Sequence, residues 1–249
     1  MKDFILEACV DSVESACAAA NGGATRLELC GNLLIGGTTP SQFLFEQVQR
    51  ECSIPIHVLI RPRFGDFCYS DWEFDVIRQE VALFRRLGAN GVVIGVLMPD
   101  GTLDEPRMKI LMEEAQGMSV TLHRAFDVCA DPWQALETAK RLGINTILTS
   151  GQADTCLHGI HLLAQLHEKA EHQIDILAGA GISAEAIEVL RPATGISSYH
   201  MSGKIVRDSS MQYRKPGVNM GLPSFSEYEL WQTDEQKIAH ARKVLEQLD

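Results

Sequence analysis

Short runs of β-branched and aliphatic residues recur along the chain, each followed by a Gly or Asp turn, an amphipathic stretch and another Gly before the next run. That rhythm is the mark of βαβ units. It predicts strands at 4–10 (FILEACV), 26–30 (RLELC), 54–61 (IPIHVLIR), 91–97 (GVVIGVL), 119–126 (SVTLHRAF), 146–151 (TILTSG), 174–179 (IDILAG) and 198–203 (SYHMSG). Eight parallel strands close naturally into a (β/α)8 TIM barrel of the α/β class, and 249 residues suit one such domain spanning 1–249.

Helix signals fill the gaps. Asp11 with Glu14, and Ser70 with Glu73, have capping-box spacing, and Asp131-Pro132 reads as an N-cap followed by proline at the first helical position. RRLGANGVVI and KRLGINTILT repeat one local plan: a basic last turn, a glycine stop at Gly88 or Gly143, and a strand a few residues on. The segment 204–227 shows no clear period and is expected to be a long excursion after the last strand, before a final helix near 234–247.

In a barrel, alternate strand residues point inward and functional groups gather where strands end. Leu6 and Val10 suit the helix layer, which turns Glu7 and Cys9 inward, and Leu27 and Leu29 do the same for Glu28 and Cys30. Unpaired interior carboxylates cost several kcal/mol, so they are expected to meet cations, a ligand or a proton. Arg61 and His123 are the candidate matches, either as a structural ion-pair layer or as part of a site in which Glu7, Glu28 and His123 handle protons. The same alternation turns His57, His200 and Ser202 inward.

Four loop segments add candidates. Arg61, Arg63 and Asp66 in IRPRFGDFCYSD are suited to clamping a carboxylate or phosphate, or to latching their own loop. In HRAFD, Asp127 is placed either to orient His123 or to pair with Arg124. Gly179 and Gly181 of LAGAGIS allow close backbone approach to an anion before a helix begins at Ser183, and LTSGQ, with Thr149 and Ser150, is expected to line the same pocket.

The balance of 22 basic against 33 acidic residues, a formal net charge of −11, argues against nucleic acid as a partner. No run is long and apolar enough for a membrane helix, and a cytoplasmic location is expected. Seven cysteines occur singly, with no C-x-x-C pair, which points away from a disulfide framework and a structural zinc site. Cys9 and Cys30 occupy equivalent points on neighbouring strands, where they are either small barrel-filling residues or a pair of soft ligands selective for Cu(I), with Cys68 as a candidate third sulfur.

LEACVDSVESACAAANGGATRLELC, GGTTPS, the IRPR and GDFCYSD loop, TLHRAFD, LTSGQ, LAGAGI and MQYRKPG, in this order, closely resemble the copper homeostasis protein family CutC over residues 4 to 220. The resemblance implies a (β/α)8 barrel, a homodimer or higher homo-oligomer in the cytoplasm, and Cu(I) as cofactor, bound through Cys9 and Cys30. One departure is Phe64, where the family commonly has glycine. Glu7, Glu28, Arg61, His123, Asp127 and the AGAG turn exceed what a thiol clamp requires. They support an alternative, an enzyme acting on a small anionic or phosphorylated metabolite at the C-terminal face of the barrel.

Overall fold

Each of the eight apolar runs forms a short parallel strand in a computed structural model that describes residues 4–218, 220–221 and 225–248. The strands are β1 (Ile5–Val10), β2 (Arg26–Leu29), β3 (Ile56–Leu59), β4 (Gly91–Ile94), β5 (Ser119–Leu122), β6 (Thr146–Thr149), β7 (Asp175–Ala178) and β8 (Ser198–Met201). They pair in sequence order, and β8 pairs back to β1, so the sheet closes as a barrel.

Helices follow the strands: α1 (Val13–Asn21), α2 (Gln42–Glu51), α3 (Asp71–Arg86), α4 (Glu105–Glu114), α5 (Pro132–Leu142), α6 (Ile160–Ala170) and α7 (Ala184–Thr194). The box at Ser70 and Glu73 forms in full, and Asp131 caps α5 with Pro132 in its first turn. Gly143 ends α5 at φ +75°, a left-handed conformation that costs glycine little. The first cap differs from expectation. Ser12, not Asp11, accepts the Ser15 amide to start α1, and the Asp11 carboxylate instead accepts the Leu33 amide of the next loop.

Alternation sorts the core into two layers. Leu6, Ala8, Val10, Leu27, Leu29, Val58, Val92 and Ile94 belong to the large apolar cluster between barrel and helices, while Cys9, Cys30, Leu59 and Val93 form a small cluster inside the barrel. Burying each large aliphatic side chain of the outer layer contributes roughly 1.5–3 kcal/mol, so this layer carries the fold and frees the interior for polar groups.

The segment after β8 is more ordered than its sequence suggests. Lys204–Asp208 (β9) and Glu229–Thr233 (β10) pair as an antiparallel hairpin before α8 (Glu235–Leu248). Lys204 Nζ lies 3.4 Å from the Trp231 ring centroid, and Arg214 bonds Asp208 at 2.9 Å beneath the Tyr228 ring, so cation–aromatic contacts hold the arm. Residues 219 and 222–224 of this excursion lie outside the described residues.

Candidate functional site

The barrel interior opens at the C-terminal ends of its strands into a cavity of about 730 Å³. Cys9, Glu28, Leu59, Arg61, His123, Leu148 and His200 reach it from the strands or the residues just beyond them, Phe67, Asp127, Gly181 and Ser202 from the loops, and Lys204 from the start of β9.

Beneath this floor Glu7 is buried between Arg26 and His200. Its carboxylate accepts from Arg26 Nε at 2.6 Å and lies 2.7 Å from His200 Nδ1. Burial alone would raise the Glu7 carboxyl, but Arg26 and then His200 overcome it and hold it at about 2. Arg26 was not singled out in the sequence, yet it precedes Glu28 and Cys30 at the same two-residue spacing, and that periodicity was the available signal. Arg61 and His123, expected to meet the interior carboxylates, are engaged elsewhere.

Glu28 and Cys9 form the second part of the floor. The Cys9 thiol donates to Glu28 Oε2 at 3.0 Å, Cys30 Sγ is 3.8 Å from Cys9 Sγ, and His200 Nε2 is 3.8 Å from Glu28 Oε2. The neighbouring Cys30 thiol, burial and Glu28 together push the Cys9 thiol well above its ordinary range. Burial also raises the Glu28 carboxyl. His200 is raised despite its burial, because Glu28 and Glu7 both favour its charged form.

Donor atoms of Cys9, Glu28 and His200 all lie within 4.8 Å of one another, a spacing that suits a shared metal ion. Glu7 behind His200 fits the same purpose: with Nδ1–H turned to a carboxylate, the neutral ring presents Nε2 toward Cys9 and Glu28. Cys30 lies behind Cys9, fully buried, with its thiol 3.6 Å from the Val10 carbonyl. Cys68, the candidate third sulfur, is outside both this cluster and the cavity lining.

The other wall is built on β3, β4 and β5. Arg61 donates to the carbonyls of Gly36 (3.3 Å), Gly37 (3.1 Å) and Gly65 (2.8 Å). His123 Nδ1 accepts the Ala125 amide at 3.1 Å. Desolvation, helped by Arg61, holds the His123 ring neutral down to about 3, and desolvation, helped by Arg26, holds His57 neutral down to about 4. Glycines at the start of β4 and just past its end make room for both rings. A Cβ on Gly91 would lie 2.6 Å from His57 ring atoms, and one on Gly95 would lie 2.6 Å from His123 Cε1.

Several expected binding residues serve the loops. Arg63 bonds Glu73, Asp66 and the Cys68 carbonyl, so with Asp66 it latches its own loop outside the cavity lining. Asp127 pairs with Arg124 at 2.6 Å and accepts from Thr149, Ser150 and the Gln152 amide. It therefore clasps two loops, with no bond to His123. Thr149 and Ser150 are fully buried in that clasp, and Gly179 gives room to Leu148, whose Cδ1 would be 2.7 Å from an added Cβ. Gly181, at φ +86°, and Ser202 do face the cavity, beside Lys204. Among the described residues no helix is long and apolar enough to cross a membrane.

Comparison with known proteins places this architecture. A human protein named copper homeostasis protein cutC homolog is 43% identical over 236 residues, covering 94% of this chain and 86% of its own length. A CutC family protein of Bacteroides fragilis is 45% identical over 231 residues, 92% of each chain. A solved structure of CutC from Streptococcus agalactiae, described as a copper homeostasis protein, superposes with a TM-score of 0.76 at 28% identity, covering 80% of this chain and 98% of that one. The CutC family profile matches residues 4–205, from the first strand of the barrel to the start of the hairpin arm, and the chain belongs to the CutC family.

Proposed function

We propose that this protein binds Cu(I) as cargo at the floor of the barrel, with Cys9 as the leading ligand, Cys30 and His200 completing a soft donor set, and Glu28 taking the Cys9 proton and passing it to solvent in the cavity that it lines. The observation that carries this reading is the meeting of Cys9 Sγ with Cys30 Sγ at 3.8 Å and with Glu28 at 3.0 Å, beside His200. Sulfur and imidazole donors favour copper over hard cations, and the cavity supplies the route to Cys9. Work in the cytoplasm as a homo-oligomer belongs to the same proposal, and exposed Met211, Tyr213 and Leu230 on the hairpin arm offer a surface for a second copy. Copper-edge X-ray absorption on the reduced, loaded protein tests the donor set. Sulfur neighbours with one imidazole support it, and an all-oxygen shell sinks it.

A second reading, an enzyme acting on a small anionic metabolite, is favoured by one specific observation. The cavity extends well beyond the thiols to a wall carrying Arg61 and His123, a size typical of small-molecule sites.

A further inference from the structure

We propose that the Arg61–His123 wall is a binding site for the carboxylate of a small monoanionic organic acid. This inference deepens the second reading above and is independent of copper.

Two donors of this wall lack partners among the described residues: Arg61 Nε and His123 Nε2. Their side chains are buried, with relative exposures of 8% and 4%, and both residues line the cavity. Because His123 Nδ1 accepts the Ala125 amide, the neutral ring carries its proton on Nε2. His123 is therefore a hydrogen-bond donor in this geometry, not a base. Arg61 gives three of its five N–H groups to the carbonyls of Gly36, Gly37 and Gly65, and Nε is its one nitrogen with no partner among the described residues. Buried donors without acceptors are costly, and two of them on one wall call for a ligand that only accepts.

Charge narrows the class. Of the Arg and Lys residues lining the cavity, Arg124 is paired with Asp127 and Lys204 lies over the Trp231 ring, which leaves Arg61 beside a neutral imidazole, a balance that suits a carboxylate better than a phosphate dianion in a desolvated site. The Phe67 ring lies against both donors, 4.6 Å from the His123 ring centroid and 5.1 Å from the Arg61 guanidinium carbon. Phe67 lines the cavity beside these buried donors, so a ligand reaches them only if the ring shifts. Gly95, lacking a side chain, leaves the space that the His123 ring fills and so lets the ring take this position.

The test uses the full-length, reduced, metal-free protein with histidine-selective nitrogen-15 and phenylalanine-ring carbon-13 labelling. Acetate, lactate and benzoate are titrated in turn, with inorganic phosphate as the contrasting probe. The expected result is a saturable shift of the His123 Nε2 resonance with at least one carboxylate, moving together with the Phe67 ring signals. In Arg61→Lys, shown by circular dichroism to be folded, that carboxylate should bind roughly tenfold or more weakly, because the Nε–H contact is gone. Saturation with phosphate alone would overturn the carboxylate assignment while the anionic-ligand reading stood. No saturable change with any probe would overturn both, and an Nδ1-protonated His123 would overturn the geometry on which the site rests.

Discussion

His200 Nδ1 on β8 lies 2.7 Å from Glu7 Oε1 on β1, across the seam where the last strand of the barrel meets the first. The contact does two jobs. It joins the closing strands through buried charge, and it turns Nε2 of the ring toward Glu28 and Cys9.

Glu7→Gln should be costly on both counts. Arg26 would keep a buried charge with its carboxylate partner neutralised, which destabilises by about 3–5 kcal/mol. Urea unfolding measures that loss. Among molecules that still fold, Cu(I) affinity should fall roughly 10–100-fold, because the carboxylate no longer fixes the ring.

Acid should weaken the fold earlier than carboxylates alone would. His57 and His123 are held at about 4 and about 3, against an ordinary 6.5, by burial and nearby arginines. Below 6.5 the unfolded chain takes up these protons and the folded chain refuses them, so stability falls as pH drops, by about 1.4 kcal/mol per unit for each ring. Glu7, held at about 2 against 4.5, adds its loss only as pH falls below 4.5 toward 2. Urea midpoints measured from neutral pH downward should decline from the histidine window onward. A flat profile there would contradict the neutral, buried rings.

Gly95→Ala tests the space just past the end of β4. The new methyl would meet His123 Cε1 at 2.6 Å, which forces the ring or the strand to move. The expected cost is about 1–3 kcal/mol, read from chemical denaturation, with the His123 resonances displaced.

Copper affinity should rise with pH. The Cys9 thiol is pushed well above its ordinary range, so a metal ion must displace its proton to bind. Apparent affinity should therefore increase by up to roughly tenfold per pH unit for each proton released, and proton release on loading can be followed in weak buffer.

The barrel was legible because its signals are local and periodic. Leu6 and Val10 alternate with Glu7 and Cys9, and Leu27 and Leu29 with Glu28 and Cys30, which sorted the inside from the outside correctly. The interior pairs were not, because they cross strands whose register no single run encodes. Glu7 sits opposite both Arg26 and His200, 193 residues away in the second case. Asp127 shows the same limit at short range: it lies four residues from His123, yet Arg124 and the β6 loop claim it. The hairpin of β9 and β10 escaped notice because β9 is almost wholly exposed, β10 is only partly buried, and neither run alternates apolar with polar residues.

The most direct test is an anaerobic titration of the reduced protein with Cu(I) against a competing chelator, comparing the native chain with the Cys9→Ser, Cys30→Ser double variant. The account predicts tight, stoichiometric binding by the native chain that is lost in the double variant. Weak binding, or binding indifferent to those two serines, would contradict it.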